Sequence, residues 1–76
     1  MKIEYKQRIK DLREDDDKTQ EVISKYLEIR QNVYSRYERG ENKIPVDYII
    51  KLCYFYNCSA DYILGLTNEK KPLPKK

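Results

Sequence analysis

The sequence contains no histidine and no tryptophan, and only two cysteines, two glycines and three prolines among its 76 residues. Each scarcity excludes something. Without histidine, and with no second cysteine pair beside Cys53 and Cys58, the ligand set of a zinc site is missing, so no metal is expected. Two cysteines do not make a disulfide framework, and no secretion-type apolar stretch stands near the start, so a cytoplasmic chain with reduced thiols is expected. The longest apolar run, around Cys53-Tyr54-Phe55-Tyr56 and beginning at Leu52, falls far short of the roughly 20 residues that cross a bilayer, which argues against a membrane partner. There is no G-x-S-x-G, no phosphate-cradling glycine loop and no cluster of metal ligands. The chain therefore reads as a binding protein and not as an enzyme, with no cofactor and no small-molecule ligand evident.

What is present is charge, tyrosine and helical periodicity. Sixteen Lys and Arg against thirteen Asp and Glu leave a net charge of +3. The acids gather at Glu14-Asp15-Asp16-Asp17, so the basic excess lies after that point. Such a distribution suits an electrostatic footprint on one side and, taken alone, equally suits a solvated surface. The eight tyrosines recur at helical spacing, which favours core filling over stacking on single-stranded bases. Their hydroxyls are expected to reach water or a polar partner.

The few breakers divide the chain into five short helical segments. Tyr5, Ile9 and Leu12 mark the first, over residues 4–14, and the acidic run follows as a loop. Thr19 is placed to cap the second, with Glu21 in its positive first turn and Ile23, Tyr26 and Leu27 as its inward stripe. Glu28-Ile29 make a tight break before the third, residues 31–39, which carries Val33, Tyr34 and Tyr37 on one face and ends at Gly40 as a left-handed cap. Pro45 falls in the first turn of the fourth, whose apolar face is Ile49, Leu52, Cys53 and Tyr56, and Asn57 stops it. Ser59 caps the fifth, Cys58 and Ile63 form a staple around its start, and Gly65 terminates it. The division expected is a domain over residues 1–66 and a basic, flexible tail over residues 67–76, whose composition buries too little to order itself. Contact of the tail lysines with DNA and an inert linker are both open readings. Cys53 and Cys58 are read as buried packing.

The stretch from Thr19 to Gly40, T-Q-E-V-I-S-K-Y-L-E-I-R-Q-N-V-Y-S-R-Y-E-R-G, has a mechanical reading. Two helices joined by a turn too short for an antiparallel return must cross steeply. Small Ser24 sits where they approach, Ile29 buries in the turn, and Val33 pins the second helix to the first. Gln31, Asn32, Ser35 and Arg36 are then left facing outward. Gln and Asn pair bidentately with adenine and Arg with guanine. The same residues in isolation would be an ordinary solvated face; the surrounding motif favours base or phosphate contact.

This stretch resembles the helix-turn-helix of the lambda-repressor-like family, the Cro and repressor (XRE-type) class of regulators. The likeness extends to R-I-K-D-L-R at residues 8–13 and to L-C-Y-F-Y-N-C-S-A-D-Y-I-L-G at residues 52–65. It implies an all-α, compact five-helix DNA-binding domain with the helix-turn-helix at helices two and three. It also implies that Gln31, Asn32, Ser35 and Arg36 read bases while Gln20 and Lys43 touch phosphate. Arg13 and Glu38 match a pair that joins helix one to the end of helix three, a structural role. At three positions the chain departs from the family pattern. Glu28 stands where glycine is usual and should cost about 1 kcal/mol in a left-handed conformation. Arg30 replaces a Ser or Thr cap and is offered instead as a phosphate contact, and Lys18 stands where leucine is frequent.

The function expected is a sequence-specific double-stranded DNA-binding transcriptional regulator, a repressor, that binds an operator-like site as a homodimer. The rival from another class is a protein-interaction or antitoxin-like module on the same fold. For the dimer surface Tyr62, Leu64 and Leu66 are the candidates, with ordinary core packing an equal explanation.

Overall fold

In the computed structural model, which describes residues 4–74, the chain folds into α1 (Tyr5–Asp15), α2 (Gln20–Leu27), α3 (Gln31–Arg39), α4 (Val46–Tyr56) and α5 (Ala60–Ile63). Residues 1–3 and 75–76, the outer ends of the expected domain and tail, lie outside that range. Among the described residues there is no strand, and the expected all-α class and helix order hold.

Local chemistry places most boundaries. Thr19 adopts an extended backbone and its Oγ1 accepts from Val22 N–H at 3.2 Å, so α2 starts with one of its orphan amides satisfied. Ser59 does the same for α5 by accepting from Tyr62 N–H at 3.4 Å. Gly40 and Asn57, both left-handed, end α3 and α4. Two boundaries differ from expectation. The first helix, expected to end at residue 14, runs on to Asp15 within the acidic stretch, with Asp16 N–H still bonded to Leu12 O at 3.1 Å. Pro45 is not inside the first turn of α4; it occupies the cap position before it, with extended ψ, and its carbonyl receives Tyr48 and Ile49 N–H.

The core is one cluster. Ile9 and Leu12 from α1, Ile23 and Leu27 from α2, Tyr34 and Tyr37 from α3, Ile49, Leu52, Cys53 and Tyr56 from α4, then Cys58 and Ile63 close on one another. Burying each such aliphatic or aromatic side chain contributes about 1.5 to 3 kcal/mol. In the packing α3 lies against α1 and α2, while α5 lies against α1 and α4. Both cysteines are free and buried, and burial pushes their thiol pKa values up, consistent with packing groups.

Tyr26 is not part of this core. It is 39% exposed because the inward stripe of α2 is only as wide as Ile23 and Leu27. Its ring instead meets Phe55 at 4.7 Å between centroids, and its hydroxyl donates to Lys51 O at 2.9 Å, tying α2 to α4 from outside. The tyrosine hydroxyls also depart from expectation. Among the described residues, Tyr34 Oη and Tyr56 Oη are buried with no hydrogen-bond partner. Burial, with the Glu38 charge adding to it, drives both phenol pKa values far up, so both stay neutral.

After α5 the chain forms no helix, yet it lies along the body. Ser59 N–H donates to Lys71 O at 3.0 Å, Leu73 N–H donates to Asn57 Oδ1 at 3.3 Å, and Leu73 packs partly buried on the core. Composition alone gave no sign of these attachments.

Candidate nucleic-acid interface

The turn between α2 and α3 sets the geometry of the site. Glu28 takes the left-handed conformation expected of that position (φ 60°, ψ 42°). Its N–H bonds to Lys25 O at 3.1 Å and Ile29 N–H bonds to Ser24 O at 3.0 Å, so two of the last four carbonyls of α2 are satisfied inside the turn. Ile29 packs partly buried against the core, and Ser24, fully inside, donates from Oγ to Glu21 O at 2.9 Å. A small, internally satisfied residue lets the helices meet closely. Arg30 follows in an extended conformation with no side-chain cap on α3, as the missing Ser or Thr implies; its carbonyl receives Val33 and Tyr34 N–H.

The faces of α3 then separate. Tyr34, Tyr37 and Glu38 are buried and Val33 is half-buried, so this side is pinned to the body. Gln31, Asn32 and Arg36 are exposed, and Ser35, expected to face fully outward, is half-buried. Gln31 with Ser35, and Asn32 with Arg36, are pairs one turn apart and share one side of the helix. Arg30 and Lys43, at either end of α3, are exposed. Among the described residues Arg30, Arg36 and Lys43 form no ion pair, whereas Arg39 is engaged with Glu41 at 2.7 Å. The outcome is a polar helix face flanked by unneutralised cations.

Behind this face lies the expected ion pair. Arg13 Nε donates to Glu38 Oε2 at 2.8 Å and Arg13 Nη2 donates to Glu38 Oε1 at 3.0 Å, a two-point contact from α1 to the last turn of α3. Burial, the largest single influence, pushes the Glu38 carboxyl pKa up, but the hydrogen bonds and charge of Arg13, together with the neighbouring Tyr34 hydroxyl and Gln20 amide, outweigh it and hold the group below the ordinary carboxylate value. Gln20, foreseen as a phosphate contact, is half-buried and donates from Nε2 to Glu38 Oε1 at 3.1 Å. No local signal marks that contact, since the residues lie far apart in sequence.

Sequence reasoning also missed Arg8. The residue is 3% exposed, and its guanidinium lies 3.9 Å from the centroid of the Tyr62 ring and donates to Thr67 O at 3.3 Å and Asn68 Oδ1 at 2.9 Å. The signal was available: Arg8 shares the Tyr5, Ile9 and Leu12 register, so it had to turn inward. Leu64 and Leu66, by contrast, are exposed and border an open groove of about 450 Å³ together with Tyr5, Gly40 and Lys43.

Two helices joined through a tight left-handed turn, with the outer face of the second uncovered, define a helix-turn-helix domain. The chain belongs to the helix-turn-helix family, which matches residues 9–63. It is 37% identical over 68 residues to YobD of Bacillus subtilis (strain 168), an uncharacterized HTH-type transcriptional regulator, covering 90% of this chain and 61% of that protein. It is also 37% identical over 64 residues to the HTH-type transcriptional regulator ImmR of the same organism, covering 84% of this chain and 50% of that protein. The chain thus spans between half and two thirds of these relatives' own lengths. No solved structure gives a significant match. Among the described residues no helix is long and apolar enough to cross a membrane.

Proposed function

We propose that the protein is a sequence-specific double-stranded DNA-binding transcriptional regulator, a repressor by occupancy of promoter DNA, that lays α3 in the major groove. The observation that carries this reading is the pinned helix with a free polar face. Tyr34, Tyr37 and Glu38 hold α3 down while Gln31, Asn32 and Arg36 stand clear. In this reading Gln31, Asn32, Ser35 and Arg36 read base edges, and Gln20, Arg30 and Lys43 hold phosphate and so fix register. Residues 1–66 are the reading head and residues 67–76 a basic extension. Binding, not catalysis, is the activity, and its place is the cytoplasm.

One small head makes few contacts, so two copies bind paired half-sites about 34 to 36 Å apart between centres. Leu64 and Leu66 support this homodimer because they are exposed beside Lys43. Tyr62 is the weakest of the three candidates, its ring already covered by Arg8. The protein-interaction reading has one observation in its favour. Val46, Ile50 and Tyr54, at successive turns of α4, are exposed apolar residues in a row.

The test is a randomised-duplex selection with the purified protein, followed by binding to the best duplex and to a scrambled control at two salt concentrations. An enriched palindrome preferred by about 10³-fold or more is expected. Weak, sequence-blind binding that vanishes with salt would overturn the reading and bring the protein-partner role forward.

A further inference from the structure

We propose that Glu38 is a positioning residue for DNA binding: it holds the side-chain amide of Gln20, at the open end of α2, in one orientation, beyond its part in the ion pair with Arg13. This rests on the DNA-binding reading above.

Two donors share Glu38 Oε1. It accepts from Arg13 Nη2 at 3.0 Å and from Gln20 Nε2 at 3.1 Å, while Oε2 accepts from Arg13 Nε at 2.8 Å. A carboxylate only accepts, so the nitrogen end of the Gln20 amide must face it; the flipped amide would set two acceptor oxygens together. The carboxylate itself cannot turn, because its side chain is 3% exposed and two parallel guanidinium bonds fix its plane. Gln20 would otherwise lose several rotatable bonds' worth of freedom on meeting DNA. Held this way, it has lost much of that freedom already, with one Nε2 hydrogen spent on Glu38 and the second left to donate. A phosphate oxygen accepts such a bond. Gln31 makes a useful contrast. It occupies the corresponding first position of α3, is exposed, and has no side-chain partner among the described residues. The order of the contact thus runs from α1 through the buried carboxylate to the surface, and Arg13 enters as the group that keeps Glu38 charged and still.

A double-mutant cycle in the full chain tests this, read by affinity for the best duplex from the selection and for its scrambled control. All variants are compared at a temperature where melting curves show them folded. Gln20→Ala should weaken binding to both duplexes about tenfold, the effect of losing a hydrogen bond to a charged group. Glu38→Gln should weaken it about fivefold with Gln20 present and, once Gln20 is alanine, change it by no more than about twofold, the ordinary scatter of independent sites. Equal losses in both backgrounds would show Glu38 acting on the fold alone and overturn the proposal. Should Glu38→Gln not fold, the wild-type protein decides by side-chain amide exchange in nuclear magnetic resonance. The Gln20 carboxamide protons should exchange about tenfold more slowly than those of Gln31, and equal rates overturn the proposal. An additive cycle with intact, selective binding removes only this inference, whereas no binding by the wild-type chain removes the DNA reading as well.

Discussion

Arg13 and Glu38 join α1 to the last turn of α3 through two parallel hydrogen bonds of 2.8 and 3.0 Å. The same guanidinium donates from Nη1 to Lys18 O at 3.0 Å, and Lys18 N–H returns a bond of 3.0 Å to Arg13 O. One side chain therefore fixes both the entry to α2 and the end of α3. Arg13→Ala should destabilise the fold by about 3 kcal/mol, since it leaves a buried carboxylate without its cation. Urea unfolding measures this, and a loss below about 1 kcal/mol would mean that Glu38 finds water or another partner.

The pair also sets an acid limit. Burial raises the Glu38 pKa, but Arg13's hydrogen bonds and charge, with the neighbouring Tyr34 hydroxyl and Gln20 amide, outweigh burial and bring it below its ordinary 4.5. A carboxyl whose folded pKa is depressed contributes its full stability above the unfolded value and loses it as pH falls through the folded one. The difference in urea midpoint between wild type and Glu38→Gln should therefore be flat above about pH 5 and shrink below it. A difference independent of pH down to about pH 3 would contradict the shift.

Two left-handed positions should respond oppositely. Glu28 has φ 60°, so Glu28→Gly should stabilise by about 1 kcal/mol and raise Tm by about 4 to 8 °C. Gly40 has φ 78°, and a Cβ there would stand 2.7 Å from Lys6 Cδ, the end of a flexible side chain that can swing away. Gly40→Ala should then cost about 1 kcal/mol, nearly all from the backbone. A thermal melt that lowers Tm for Glu28→Gly would show that the glutamate makes a compensating contact.

Arg8→Met should free the segment after α5. The methionine fills the space of the arginine stem but gives Thr67 O and Asn68 Oδ1 no donor. Backbone amide exchange at residues 67–73 should rise about tenfold while α3 stays protected. Uniform acceleration through the whole chain would mean instead that Arg8 supports the global fold.

Arg36→Ala and Lys43→Ala should divide the DNA-binding energy differently. Arg36→Ala should cost about 1 to 3 kcal/mol on the selected duplex and relax preference at one base pair. Lys43→Ala should weaken all duplexes alike and reduce the salt slope by about 1. Equal losses on selected and scrambled DNA for both variants would sink this division.

Much of the site was legible because its signals act within one or two turns. Thr19, Gly40, Asn57 and Ser59 mark helix ends by their own hydrogen bonds or backbone freedom, and each sits where the sequence placed it. The exposed Gln31, Asn32 and Arg36 followed from helical register once Tyr34 and Tyr37 were assigned inward. Ser35 and Tyr26 were less legible, because register gives the direction of a side chain but not the width of the neighbour that covers it. Ser35 is partly covered, and Tyr26 lies beyond the edge of its own stripe against Phe55.

By itself the sequence determined the five helices, most of their ends, the tight break at Glu28-Ile29 and which side of α3 stays polar, since propensity, capping and periodicity are properties of neighbouring residues. Only the tertiary structure decided that Gln20 shares the carboxylate held by Arg13, that Arg8 reaches Thr67 and Asn68, and that Leu73 returns to the core. Those contacts join residues many turns apart, and they depend on how the helices cross, which the packing of the whole core sets at once.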